Sequence, residues 1–100
     1  VESRLKLQDE LEQFLPNVYF QPPSDIRLVF PCITYSKTSK DTKKANNDTY
    51  KSAQEYQITV IELDPDSDLA DRIVAYFQYA TFGSYFVVDR LHQTTIKLYF

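Results

Sequence analysis

The acidic run that begins at Glu62 holds the residues best spaced for chemistry. Asp64, Asp66 and Asp68 stand two residues apart, the spacing that opens a calcium-binding loop. Such a loop then needs glycine at its sixth position and glutamate at its twelfth, where this chain has Leu69 and Ala75. The same acids fit a structural role. Pro65 cannot donate to a sheet ladder and suits a first helical turn. Asp64, Asp66 or Ser67 can cap that turn, and Asp68 and Asp71 suit its positive dipole end. The run therefore reads as a strand-to-helix junction, and neither a metal nor another cofactor is expected.

His92 and Cys32 are the single histidine and the single cysteine. Nucleophilic catalysis needs such a pair side by side with an orienting acid. Asp89 lies three residues before His92, but both are expected in an exposed hairpin turn. Cys32 sits in the apolar run Leu28 to Ile33, where a buried and inert thiol is expected. It has no cysteine to pair with. Gly83 is the one glycine, which excludes a phosphate-cradling loop and a dinucleotide fingerprint; it is expected to bend the chain ahead of a strand. Asp25 with Asp41, Thr42 and Lys43 imitates a metal nuclease set, but the second group falls in an expected loop. No catalytic constellation emerges, so the chain is not expected to be an enzyme.

Charge carries more information. The 100 residues have a net charge of −3, unevenly spread. Lys37, Lys40, Lys43, Lys44 and Lys51 face only Asp41 and Asp48 in their stretch. Glu62, Asp64, Asp66, Asp68 and Asp71 have no base among them. Opposite patches on one small domain can pair head to tail between copies, so these lysines and acids are the candidate interface residues. A rival reading lets the lysines touch nucleic-acid phosphates. The stretch lacks arginine and interleaved aromatics, so base stacking is not implied. No stretch reads as membrane-spanning and no signal peptide is visible. A reducing cytoplasm fits the cysteine usage. The first residue is Val rather than Met, so the native start is expected ahead of this numbering.

These residues need elements to hold them. Leu7, Leu11, Phe14 and Leu15 make one apolar stripe on a helix ending at Pro16, with Val1 and Leu5 on the other side as a candidate subunit contact. Asn17 to Gln21 reads as a short extended piece. Arg27 to Ser36 reads as a strand, with Pro31 favouring an edge or bulge. Lys37 to Asn47 has no period and reads as a long loop. Tyr56, Ile58 and Val60 alternate with Gln57 and Thr59 in a strand from Tyr50 to Leu63, whose far end is expected to be covered on both faces. A helix from Asp66 to Phe77 carries Leu69, Ala70, Ile73, Val74 and Phe77 on one stripe. Tyr85 to Val88 and Thr94 to Phe100 close a hairpin around Asp89 to Gln93. The order α-β-β-β-α-β-β implies a single α+β domain over residues 1–100, with a mostly antiparallel sheet and two helices packed on one face.

Four segments together carry a resemblance. They are Tyr19-Phe20-Gln21-Pro22-Pro23, Phe30-Pro31-Cys32-Ile33-Thr34-Tyr35, Tyr56 to Ile61 running into Asp64-Pro65-Asp66-Ser67, and Phe82 to Phe100 with Asp89-Arg90-Leu91-His92 in its turn. The chain resembles small neck proteins of tailed bacteriophages, of the tail terminator or tail completion type; head-closure proteins are the near alternative. The resemblance implies a virion protein assembled in the host cytoplasm, without an active site. It implies a ring, usually of six copies, that ends tail-tube polymerisation. The implied partners are other copies, the tail tube protein, and the head connector or head-closure protein; the lysine stretch adds non-specific contact with packaged DNA as an expectation, and no membrane contact is expected.

A long charged stretch cannot build a core of its own. Replacing Lys40, Lys43 and Lys44 with Ser should leave the melting temperature nearly unchanged and reduce the yield of completed tails. Thermal melts and particle counts on the triple variant check this; normal infectivity would reduce the lysines to solvated surface.

Overall fold

The computed structural model describes residues 4–40 and 54–100. Leu7 and Leu11 lie one helical turn apart and are fully buried, which sets the inner face of helix α1, Arg4–Glu12. The helix ends before Pro16. Its last turn tightens through Gln13 N–H to Glu10 O and Phe14 N–H to Leu11 O. Phe14 and Leu15 still reach the core from the chain beyond it.

Five strands follow: β1 (Val18–Phe20), β2 (Cys32–Lys40), β3 (Gln54–Glu62), β4 (Ala80–Val88) and β5 (Leu91–Tyr99). Helix α2, Leu69–Tyr76, lies between β3 and β4 in the chain. The strands form one sheet in the order β1-β2-β3-β5-β4. β1 runs parallel to β2, and every other pairing is antiparallel. The architecture is thus α+β in the order α-β-β-β-α-β-β.

One face of the sheet is the core face. Ile33 and Tyr35 of β2 stand opposite Val60 and Ile58 of β3, and Ile58 and Tyr56 stand opposite Ile96 and Leu98 of β5. These seven side chains are buried together with Leu7, Leu11, Leu69, Ile73 and Phe77. Polar contacts fasten α1 above β1 and β2. The Tyr35 hydroxyl donates to Gln8 Oε1 at 2.5 Å and accepts from Arg4 at 3.2 Å. The Arg4 guanidinium also lies 4.3 Å from the centre of the Phe20 ring, within cation–π range.

Several boundaries differ from expectation. Pro31 has no N–H to give, so β2 starts at Cys32, not Arg27. The chain from Gln21 to Pro31 is instead the crossover that joins two parallel strands. Val29 N–H donates to the Tyr19 hydroxyl on the face away from the helices, so the crossover passes there. β2 also runs on to Lys40. Lys37 to Lys40 is therefore strand rather than loop: Lys37 pairs with Tyr56 and Lys40 with Gln54. Backbone pairing does not need apolar side chains, and Thr38 adds a bond from its hydroxyl to Glu55 O. The rest of the expected loop, and the expected strand start at Tyr50, fall outside the described residues.

α2 begins at Leu69 rather than Asp66. Asp64 Oδ1 accepts from Asp66 N–H at 2.9 Å and Ser67 Oγ from Leu69 N–H at 3.2 Å, which holds the junction in a turn. Asp68, the N-cap, makes no side-chain cap bond and pairs with Arg72 at 3.3 Å instead. Ile61 is buried on the second face as expected, but Leu63 is exposed.

The closing hairpin is longer than expected. Only Asp89 and Arg90 form its turn, with φ of 51° and 68°, the two positive values of a type I′ turn. Val88 and Leu91 face each other across it. Gly83 lies inside β4, not ahead of a strand. It forms a bulge with Ser84, the two together opposing Thr95. A β-carbon at Gly83 would collide with Thr95 Oγ1 and come within 3.2 Å of the Thr95 carbonyl. That hydroxyl accepts from Ser84 N–H at 2.6 Å, so it cannot swing aside freely.

Gly83→Ala should lower stability by about 1–3 kcal/mol through overpacking, and Gly83→Val by more. Urea unfolding of Gly83→Ala, Thr95→Ala and the double variant checks this, and the two changes should be strongly non-additive.

Candidate subunit interface

The register decides where the charged patches lie. Lys37 and Lys40 stand at one end of the β2–β3 ladder, near Tyr56 and Gln54. Glu62 ends β3 at the other, with Asp64 and Asp66 just beyond it. The six steps from Tyr56 to Glu62 span roughly 20 Å at the usual rise of a strand. Among the described residues, the backbone positions of Lys37 and Lys40 therefore lie far from the acids of the same copy. Lys37 is exposed, and its N–H donates to Gln21 Oε1. Glu62 is half-buried; Asp64, Asp66, Asp68 and Asp71 are exposed. Lys43, Lys44 and Lys51 lie outside the described residues. Among the described residues, no three His, Cys, Asp or Glu side chains converge as a metal site. No helix among them is long and apolar enough to cross a membrane.

Cys32 and His92 lie on opposite faces of the sheet. Cys32 aligns with Ile61 on the face away from the helices, while His92 aligns with Glu62 on the core face. His92 is not in the turn. It belongs to β5, where its ring stacks on Tyr85 and its Nδ1 lies 2.7 Å from the Tyr85 hydroxyl. Asp89 is not its partner. A shallow depression of about 110 Å³ lies beside the bulge, lined by Thr38, Glu55, Gln57, Gly83, Thr95 and Lys97. It is well below the few hundred Å³ of a usual ligand cavity. Lys97 and Glu55 pair across it at 3.4 Å.

The most unusual surface is β4. It is an edge strand of nine residues, and none of them is charged or proline. Among the described residues nothing pairs with its outer side. Phe82, Tyr85 and Val87 point to the core face but beyond the helices, and Phe86 and Val88 point to the other face. All five are between 41% and 58% exposed. Edge strands normally carry lysine, proline or a covering element, because their free N–H and C=O groups invite another chain. Among the described residues, the bulge at Gly83 is the one such device. The sequence reading passed over this strand because an unbroken apolar run such as Tyr85 to Val88 looks like a buried strand. The missing signal was positional: a last hairpin puts one strand at a sheet edge.

No protein-family model, no curated protein and no solved structure matches the chain. The functional reading therefore rests on this chain's own surfaces and on the sequence resemblance.

Cys32 is fully buried, and burial, helped by the Glu62 charge, raises its thiol from 9.0 to about 11. A raised thiol favours the folded state while it stays protonated. Its stability contribution is thus full below pH 9 and falls as pH rises from 9 towards 11, by on the order of 2–3 kcal/mol. Comparing urea midpoints at pH 8 and pH 10.5 for the native chain and Cys32→Ala should show a smaller alkaline loss in the variant. Thiol reagents should label Cys32 only after unfolding.

Proposed function

We propose that this protein is a structural subunit of a tailed-bacteriophage neck: a ring-forming protein of the tail terminator or tail completion type. In this reading it caps the tail tube, ends tube polymerisation and meets the head connector. The observation that carries the assembly part is the uncharged, half-exposed apolar edge strand β4. A free monomer gains nothing from such a strand and risks aggregation, whereas a subunit buries it on assembly. The phage part is supported by the four-segment resemblance, which implies a small α+β domain. The chemistry of the described side chains agrees with a binding role. His92 is engaged by Tyr85, and Cys32 is buried.

The reading is tested by removing the protein from phage assembly and measuring tails. A terminator's loss should give tubes of uncontrolled length. Tails of normal length that fail to join heads would point to the head-closure alternative. Normal particles, or a reconstruction without a ring of this chain in the neck, would overturn the proposal.

A further inference from the structure

The sheet has two lateral edges, and both are apolar. One is β4 with Phe82, Tyr85, Phe86, Val87 and Val88. The other is the β1 side. There α1 lies above β1 through Arg4 and Gln8, and the crossover passes beneath beside Tyr19. Leu5 of α1, above, and Ile26 and Val29 of the crossover, beneath, are 44–63% exposed. On the β1 side the backbone edge is short, and Gln8 Nε2 already donates to Val18 O. On the β4 side the edge is long and open. The two edges are therefore different from each other, and they lie on opposite sides of one small sheet.

Building on the ring reading above, we propose that the ring closes through these lateral edges. The β4 edge of one copy docks on the β1 side of the next, against Ile26 and Val29. Two unlike apolar surfaces on opposite sides of a subunit satisfy each other only between copies, and that head-to-tail contact is what generates a ring when the rotation closes. An isologous pairing of β4 with β4 would bury the strand but leave Leu5, Ile26 and Val29 uncovered and stop at two copies. The five β4 side chains offer on the order of 400 Å² of apolar surface, the size at which a contiguous patch marks an interaction site. A stable contact buries about 800 Å² per partner. Backbone and flanking side chains must supply the remainder, which suits a strand whose outer edge is unpaired among the described residues. The contact lies across the strands, whereas the lysine and aspartate patches lie at the strand ends. The charge patches are therefore not the partners that close this ring.

The test uses the native chain and three variants of it. Phe86→Lys with Val87→Lys spoils the β4 edge; Ile26→Lys with Val29→Lys spoils the receiving side. Phe86→Thr with Val87→Thr removes apolar surface while keeping strand propensity, in case the lysine pair prevents folding. All of these positions are exposed, so thermal melts of the dilute monomer should stay close to the native chain. Sedimentation should show a multi-copy assembly for the native chain and at least about tenfold weaker association for each spoiled edge. Mixing the two lysine variants should give a two-copy species and nothing larger, because each contributes one intact edge. Wild-type assembly that survives in both β4 variants overturns the contact. So does an assembly indifferent to Ile26→Lys with Val29→Lys, which would mean β4 pairs with itself. A native chain that stays monomeric also overturns it. Neck rings that persist in phage carrying the β4 variants would sink the contact and leave the neck function standing. Edge-dependent assembly of a chain absent from the neck would do the reverse.

Discussion

Tyr56, Ile58 and Val60 leave one side of β3 almost no contact with solvent, and this burial fixes the register of the sheet. Side chains on a strand alternate with period two. A slip of one residue would carry Gln57 and Thr59 into the core and turn the apolar set outward. β3 is also the middle strand, so its register is passed to β2 on one side and β5 on the other. Ile33 and Tyr35, then Ile96 and Leu98, fall in line with it. Only then do α1 and α2 have an apolar surface to land on. The aromatic contacts that spread outward from it, Phe20 to Tyr35 and Phe77 to Phe100, follow the same alignment.

The helices are shorter than the strands they cover. An eight-residue helix such as α2 is about 12 Å long, and a nine-residue strand about 30 Å. α2 enters above the sheet and leaves into β4, so its cover ends well before the hairpin turn. The exposure of Tyr85 and Val87 is a direct result of that mismatch. The bulge at Gly83 and Ser84 adds to it by twisting the outer half of β4. Thr95 holds that bulge in place through its contacts with Ser84.

Features set by near neighbours in the chain are legible in the sequence. The alternation of Tyr56 to Val60 and the stripe of Leu69, Ile73 and Phe77 each depend on residues two to four positions away, and each is found where expected. The element order and the α+β class follow from those patterns. Strand ends are less legible, because a strand extends as far as its partner offers hydrogen bonds. Lys37 to Lys40 look like loop residues and become strand through β3. Partner identity is non-local as well: His92 meets Tyr85 across the hairpin, not Asp89 nearby in sequence. The exposed edge was the least legible feature of the candidate site. Nothing within Ala80 to Val88 says that the strand is last in the sheet; the strand order does.

In the proposed ring, the separation of Lys37 and Lys40 from Glu62, Asp64 and Asp66 along the sheet would give each subunit a direction. A disc built by joining subunits side by side keeps every strand pointing the same way along its axis. The subunit polarities then add instead of cancelling, and the disc acquires one basic lip and one acidic lip. Two such discs repel when like lips meet and attract when unlike lips meet. Screening confines this to a range of about 8 Å at physiological salt, so it acts only on objects already in contact. Orientation would thereby be written into such a disc as charge: a surface stacked on it could tell top from bottom without any contact specific to either.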